Sequence, residues 1–170
     1  IRNEIEKIKI YLNGEKFNVE EVRRRICVEK EYEICEVTEK ILNNKAEEVL
    51  DYLEKTKEHM GILYSIYGEL ESMYKLSILG SKGTKFSNNY NAFKKQFEDM
   101  KEIFKNNNRI PNPYTIFKRL EKTRNYSIGS LKKLVYRCWE IEKDIKTGRI
   151  EMEAGVEMLI LEITGLYRKR

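Results

Sequence analysis

Two short stretches carry residue types that do chemistry in other settings. Ser72-Met73-Tyr74-Lys75 sets a hydroxyl one helical turn from an amine, an S-x-x-K arrangement in which a serine attacks an acyl group. Lys146-Thr147-Gly148 supplies the K-T-G triplet that accompanies it in serine acyl-transfer enzymes. In those enzymes K-T-G lies on a strand lining the pocket, and an S-D-N element completes the set. Here no S-D-N occurs and the residues around the triplet have a helical period. The acyl-transfer reading is rejected.

Other candidates dissolve in the same way. Gly80-Ser81-Lys82-Gly83-Thr84-Lys85 has the composition of a phosphate-binding loop. The G-x-x-x-x-G-K-[ST] spacing and the preceding strand that make backbone N–H groups converge are both absent. His59 is the only histidine, so no Ser/His/Asp or Cys/His relay can be assembled. Cys27, Cys35 and Cys138 are an odd number without a close pair, which points to reduced thiols in a cytoplasmic protein. Cys27, Cys35 and His59 lack the short spacing of zinc ligands and read as partly buried helix residues. The acid pairs Glu69/Glu71 and Glu151/Glu153 are ordinary on helix surfaces. The sequence thus offers no catalytic, cofactor-binding or metal-binding residue.

K-T-G fits a mechanical role instead. Lys146 falls in a last helical turn, where its charge favours the C-terminus. Gly148 takes a left-handed conformation that ends helices, and Thr147 stands between them. Ile150 then drops back into the core and sets the last helix antiparallel on the previous one. The elements that position these residues are legible as apolar stripes. Ile5, Ile8 and Leu12, then Val19, Val22 and Ile26, then Ile34, Val37 and Ile41 each follow one helical face, and Ala46, Val49, Leu50 and Leu53 continue the series. Asn18 with Glu21 makes a capping box. A long helix runs next through Ile62, Ile66, Leu70 and Met73, broadened by Tyr64, Tyr67 and Tyr74, and it should fail near Gly80–Gly83. Phe93, Phe97, Met100 and Phe104 mark another helix, and Asn112-Pro113 caps and starts the next. Ser127 caps the stripe Leu131, Leu134, Cys138, Ile141, Ile145, and Val156, Leu159, Ile160 and Ile163 define the last helix. The fold class is all-α.

The 170 residues carry a net charge of +5, distributed unevenly. Residues 1–58 hold 12 basic and 15 acidic side chains, and residues 59–170 hold 21 and 13. Two units with different surfaces are expected, the second facing something acidic. Arg23-Arg24-Arg25, Lys118-Arg119, Lys132-Lys133 and Arg168-Lys169-Arg170 are basic clusters, with Tyr114, Phe117 and Tyr126 nearby. They leave open a free-standing helical nucleic-acid-binding module. No stretch has the ~18 consecutive apolar residues of a membrane span. The chain starts at Ile1, without Met, inside a periodic charged stretch, which suggests part of a longer protein.

The run D-I-K-T-G-R-I-E-M-E-A-G-V-E-M-L-I-L-E-I, Asp144 to Ile163, resembles the C-terminal end of the delta subunit of the bacterial DNA polymerase III clamp loader. Pro113-Tyr114 with Phe117-Lys118-Arg119-Leu120 is similar to that family's H-P-Y-R-V-K-K-L segment, and Tyr126-Ser127 with Leu131 to its F-S-x-x-E-L. Asn18 to Val22 and Glu33 to Leu42 resemble its lid helices. Glu151 stands where the family usually has Asp, Asn112 where it has His, and residues 81–110 are longer than usual. The resemblance implies a small AAA+-type helical lid, residues 1–58, followed by a helical collar domain, residues 59–170. It implies a scaffold for DNA replication whose collar associates with other clamp-loader subunits. Sliding clamp and primed DNA would be engaged through the full assembly, and no membrane is involved. ATP chemistry would belong to other subunits. Lys146, Thr147, Gly148 and Ile150 are then a structural family motif.

Overall fold

The computed structural model describes residues 34–45, 47–106 and 109–166. The expected helices of residues 5–26, their Asn18 cap, Cys27, Arg23–Arg25 and Arg168–Arg170 lie outside the described residues. Helix α1 covers residues 34–42. It is followed by α2 (Glu47–Lys55), α3 (His59–Ser81), α4 (Tyr90–Met100), a 3-10 turn (Lys101–Phe104), α5 (Pro113–Thr123), α6 (Ile128–Lys146) and α7 (Met152–Leu166). The fold is all-α: among the described residues the sole extended pairing is an isolated bridge between Asn106 and Arg109.

Helix starts follow side-chain capping. The Asn89 side chain accepts from the Asn91 and Ala92 N–H groups at the start of α4. Asn112 accepts from Tyr114 N–H at 2.9 Å, with Pro113 in the first turn of α5, where its missing N–H costs nothing. Ser127 Oγ accepts from Ser130 N–H at 3.0 Å and starts α6.

Helix ends share one device. Among the described residues the backbone turns to positive φ at Asn44 (60°), Gly83 (97°) and Gly148 (69°). Each stands just past the end of a helix, and each is flanked by the paired hydrogen bonds of a Schellman stop. The pairs are Asn44 N–H to Ile41 O with Lys45 N–H to Lys40 O, Gly83 N–H to Gly80 O with Thr84 N–H to Leu79 O, and Gly148 N–H to Ile145 O with Arg149 N–H to Asp144 O.

The long α3 contributes to both apolar clusters of the fold. Its buried residues Ile62, Leu63, Ile66, Leu70 and Met73 join Leu131, Leu134, Cys138 and Ile141 of α6 and Val156, Leu159, Ile160 and Ile163 of α7 in one apolar cluster. Val37, Ile41 and Leu42 of α1 and Val49 and Leu53 of α2 belong to the same cluster, so this core runs across residue 58. At the far end of α3, Leu76 packs with Phe93, Phe97, Met100, Phe104 and Ile116 in a second cluster. The stripe expected as one helix there is split: α4 stops at Met100, and the 3-10 turn carries Phe104 back onto the same core. Tyr64 departs from expectation. It turns outward and donates from its hydroxyl to Glu142, while Tyr67 and Tyr74 lie half-buried against the main cluster.

Candidate functional site

The end of α6 is built by local rules. Thr147 N–H and Thr147 Oγ1 both donate to Lys143 O, at 3.0 and 2.9 Å. Gly148 then reverses the chain without the steric cost that a Cβ meets at positive φ. Hydrophobic contact often seals such stops; here an ion pair does, Arg149 to Asp144 at 3.3 Å. Lys146 donates to Glu142 one turn back, and Tyr64 of α3 donates to the same carboxylate. These two hydrogen bonds hold the Glu142 carboxyl below its ordinary range, and the Glu142 bond holds the Lys146 ammonium above its own. Ile150 lies partly buried against the main core. The hairpin it closes is antiparallel, as Arg137 Nε to Glu162 at 2.7 Å and the approach of Gly155 to Ile141 and Ile145 require.

Ser72 is not brought to this end of the bundle. It lies roughly 12 Å along α3 from Tyr64, at the 1.5 Å rise of a helix, and Tyr64 is the residue that shares Glu142 with Lys146. Its hydroxyl is committed: it donates to Gly68 O and accepts from Arg119 Nη1, both at 2.8 Å. Lys75 pairs with Glu71 at 3.0 Å. The Gly80–Lys85 stretch is a helix stop followed by an exposed loop. His59 is buried with Nε2 on Leu53 O at 3.0 Å, whereas Cys35, expected to be partly buried, is exposed. Among the described residues no three metal-binding side chains cluster. Burial pushes the Cys138 thiol up to about 12, which keeps it protonated and unreactive in the folded chain.

The basic clusters are divided by their partners. Arg119 turns inward and holds Glu69 and Ser72 of α3, so it ties α5 to the central helix. Lys122 reaches Glu39 of α1 at 3.4 Å. Between α1 and α5 lies an open cavity of about 490 Å³ whose lining mixes Glu39 and Glu121 with Lys118, Lys122 and Arg124. Tyr126 is buried with its hydroxyl on Leu42 O, and Phe117 packs on the second cluster. Tyr114 remains exposed, under the Lys118 ammonium. Lys132 and Lys133 are exposed on α6.

Sequence reasoning missed three features. A Cβ on Gly155 would lie 3.0–3.1 Å from methyl groups of Ile150, Ile141 and Ile145, so α7 meets α6 tightly there. The available signal was a glycine inside an apolar helical stripe. The Arg119–Glu69–Ser72 link joins α5 to α3 and has no local signal. Tyr136 and Trp139, which the apolar stripe of α6 leaves out and no reading assigned, stand exposed with their rings 5.7 Å apart.

Polar networks that join helix to helix, three helix stops and two apolar clusters on one axis define a helical packing domain. The model of the DNA polymerase III delta subunit, C-terminal domain, matches residues 31–163. The chain belongs to that family. No curated protein matches it in sequence. Among solved structures it is similar in fold to the Bacillus subtilis DNA clamp loader delta protein, with a TM-score of 0.59 and 19% identity. That match covers 79% of this chain and 36% of the other, so the chain spans about a third of that protein's length. No helix among the described residues is long and apolar enough to cross a membrane.

Proposed function

We propose that the chain is the lid and collar part of a clamp-loader delta subunit, a scaffold that joins subunits by helix packing and performs no chemistry of its own. The observation that carries the reading is the family match across residues 31–163, which takes in α1 to α7 nearly whole. Residues 59–170 are the collar, which associates with the collar domains of other clamp-loader subunits. Residues 1–58 are the lid, and its described helices α1 and α2 dock on the collar through the shared apolar core. Sliding clamp and primed DNA are met through the whole assembly in the cytoplasm, and Lys146, Thr147, Gly148 and Ile150 serve as the family's structural marker. The alternative of a free-standing nucleic-acid-binding module has less support, since Arg119 and Lys122 are engaged with Glu69 and Glu39.

The test is gel filtration of the chain with the other subunits of its clamp loader. Co-elution of the full set is expected, and its absence overturns the scaffold reading. Salt-dependent DNA binding by the isolated chain at physiological salt would favour the nucleic-acid module instead.

A further inference from the structure

The outward face of α6 carries a stripe with no partner in the fold. Lys132, Tyr136, Trp139 and Lys143 recur at helical spacing along it. Tyr136 is 58% exposed and Trp139 50%, an unusual exposure for side chains of this size. Trp139 also lines a groove of about 180 Å³ with Leu63, Tyr64, Tyr67, Cys138 and Glu142, so the stripe continues onto α3. Among the described residues no acid pairs with Lys132, Lys133 or Lys143, and Lys143 lies 5.5 Å from the Trp139 ring centre. Aromatic anchors ringed by unpaired cations require an occupant that is apolar at its centre and acidic at its edges.

The chain's own α7 shows what such an occupant looks like. Its outer face presents Ala154, Met158 and Leu161, the last 68% exposed, with Glu151 and Glu157 beside them. One domain therefore carries both a basic aromatic face and an acidic aliphatic face. Complementary faces at different places on one fold make head-to-tail contacts, the type that closes into rings. Two copies of the α6 stripe set against each other would instead oppose lysine to lysine.

Resting on the scaffold reading, we propose that the Tyr136–Trp139 stripe of α6 seats a helix of a neighbouring clamp-loader subunit, one bearing two apolar residues a turn apart with acidic flanks. The Lys143 ammonium occupies one face of the Trp139 ring, where a nucleic-acid base would have to displace it to stack, which favours a protein helix.

Trp139 is the only tryptophan, so fluorotryptophan incorporated into the full chain gives one fluorine NMR signal from the stripe itself. Titration with the other clamp-loader subunits is tracked by that signal and by gel filtration in parallel. The resonance should shift on assembly and lose most of its sensitivity to the water isotope. Lys132→Glu with Lys143→Gln, both at exposed positions, should weaken assembly about tenfold or more, with a smaller salt dependence. Co-elution with an unmoved Trp139 resonance overturns the stripe as the seat and leaves the scaffold reading standing. A resonance moved by oligothymidylate alone overturns it in favour of nucleic acid. Failure to co-elute overturns both.

Discussion

The chain leaves α3 at Gly83 and α6 at Gly148 through the same pair of hydrogen bonds, yet the segments beyond the two stops are opposite in character. After Gly83 a loop is held by Gln96, which donates to Lys85 O and accepts from Ser87 N–H, before Asn89 caps α4. The space beyond is filled by rings: Phe93 has Phe117 at 5.3 Å, Phe86 at 6.2 Å and Phe97 at 6.4 Å between centroids. After Gly148 the chain returns almost at once, and α7 closes on α6 because Gly155 has no side chain. Identical helix stops therefore do not fix the packing of the next helix. The volume of the next few side chains does, since an interior at crystal-like density leaves no slack.

Phe93→Ala is expected to break the first arrangement most severely, at about 3–5 kcal/mol for a fully buried phenylalanine. Hydrogen exchange should place the loss in α4 and α5 while α6 amides keep their protection; equal loss in α6 would mean that the two clusters melt as one. Gly155→Val attacks the second arrangement by overpacking, at about 1–3 kcal/mol in chemical denaturation. An unchanged midpoint would show that the three isoleucines yield freely. Gly148→Ala and Gly83→Ala test the shared stop, each at about 1 kcal/mol from the positive φ. If the Gly148 variant costs nothing, the helix-stop account of K-T-G is wrong. Asn44→Gly is the smallest change, a gain of about a few tenths of a kcal/mol from relief of the same backbone strain. It also removes a buried side-chain oxygen without a hydrogen-bond partner among the described residues. Thermal melting should show a slight rise, and a drop would assign the Asn44 side chain a stabilising role.

Local rules were legible in the sequence, and partnerships across the fold were not. The stripes of α3, α6 and α7, the caps Asn112 and Ser127, and the left-handed Gly148 all arise from spacing and residue type within a few positions. Lys118 and Arg119 look alike as neighbours in a basic cluster, yet Arg119 turns inward because Glu69 and Ser72 wait on α3, a partner no local pattern reveals. Tyr64 shares the helical spacing of its stripe but stands at its edge, where a hydrogen bond to Glu142 draws it out. Tyr136 and Trp139 show the same limit from the other side, since aromatic residues suit a core and an interface equally. Residues 81–110 supply most of an aromatic cluster whose rings were legible only as one more amphipathic helix.

The central position of α3 also sets a timetable. Its apolar face is complete once Ser81 has been made, but the residues that cover it run to Ile163 at the end of α7. At a synthesis rate of roughly 5–20 residues per second, that face waits on the order of 4–16 seconds for its cover. The ribosome thus releases a sticky helix well before its later partners α6 and α7, and the interval belongs to whatever in the cell shields nascent chains.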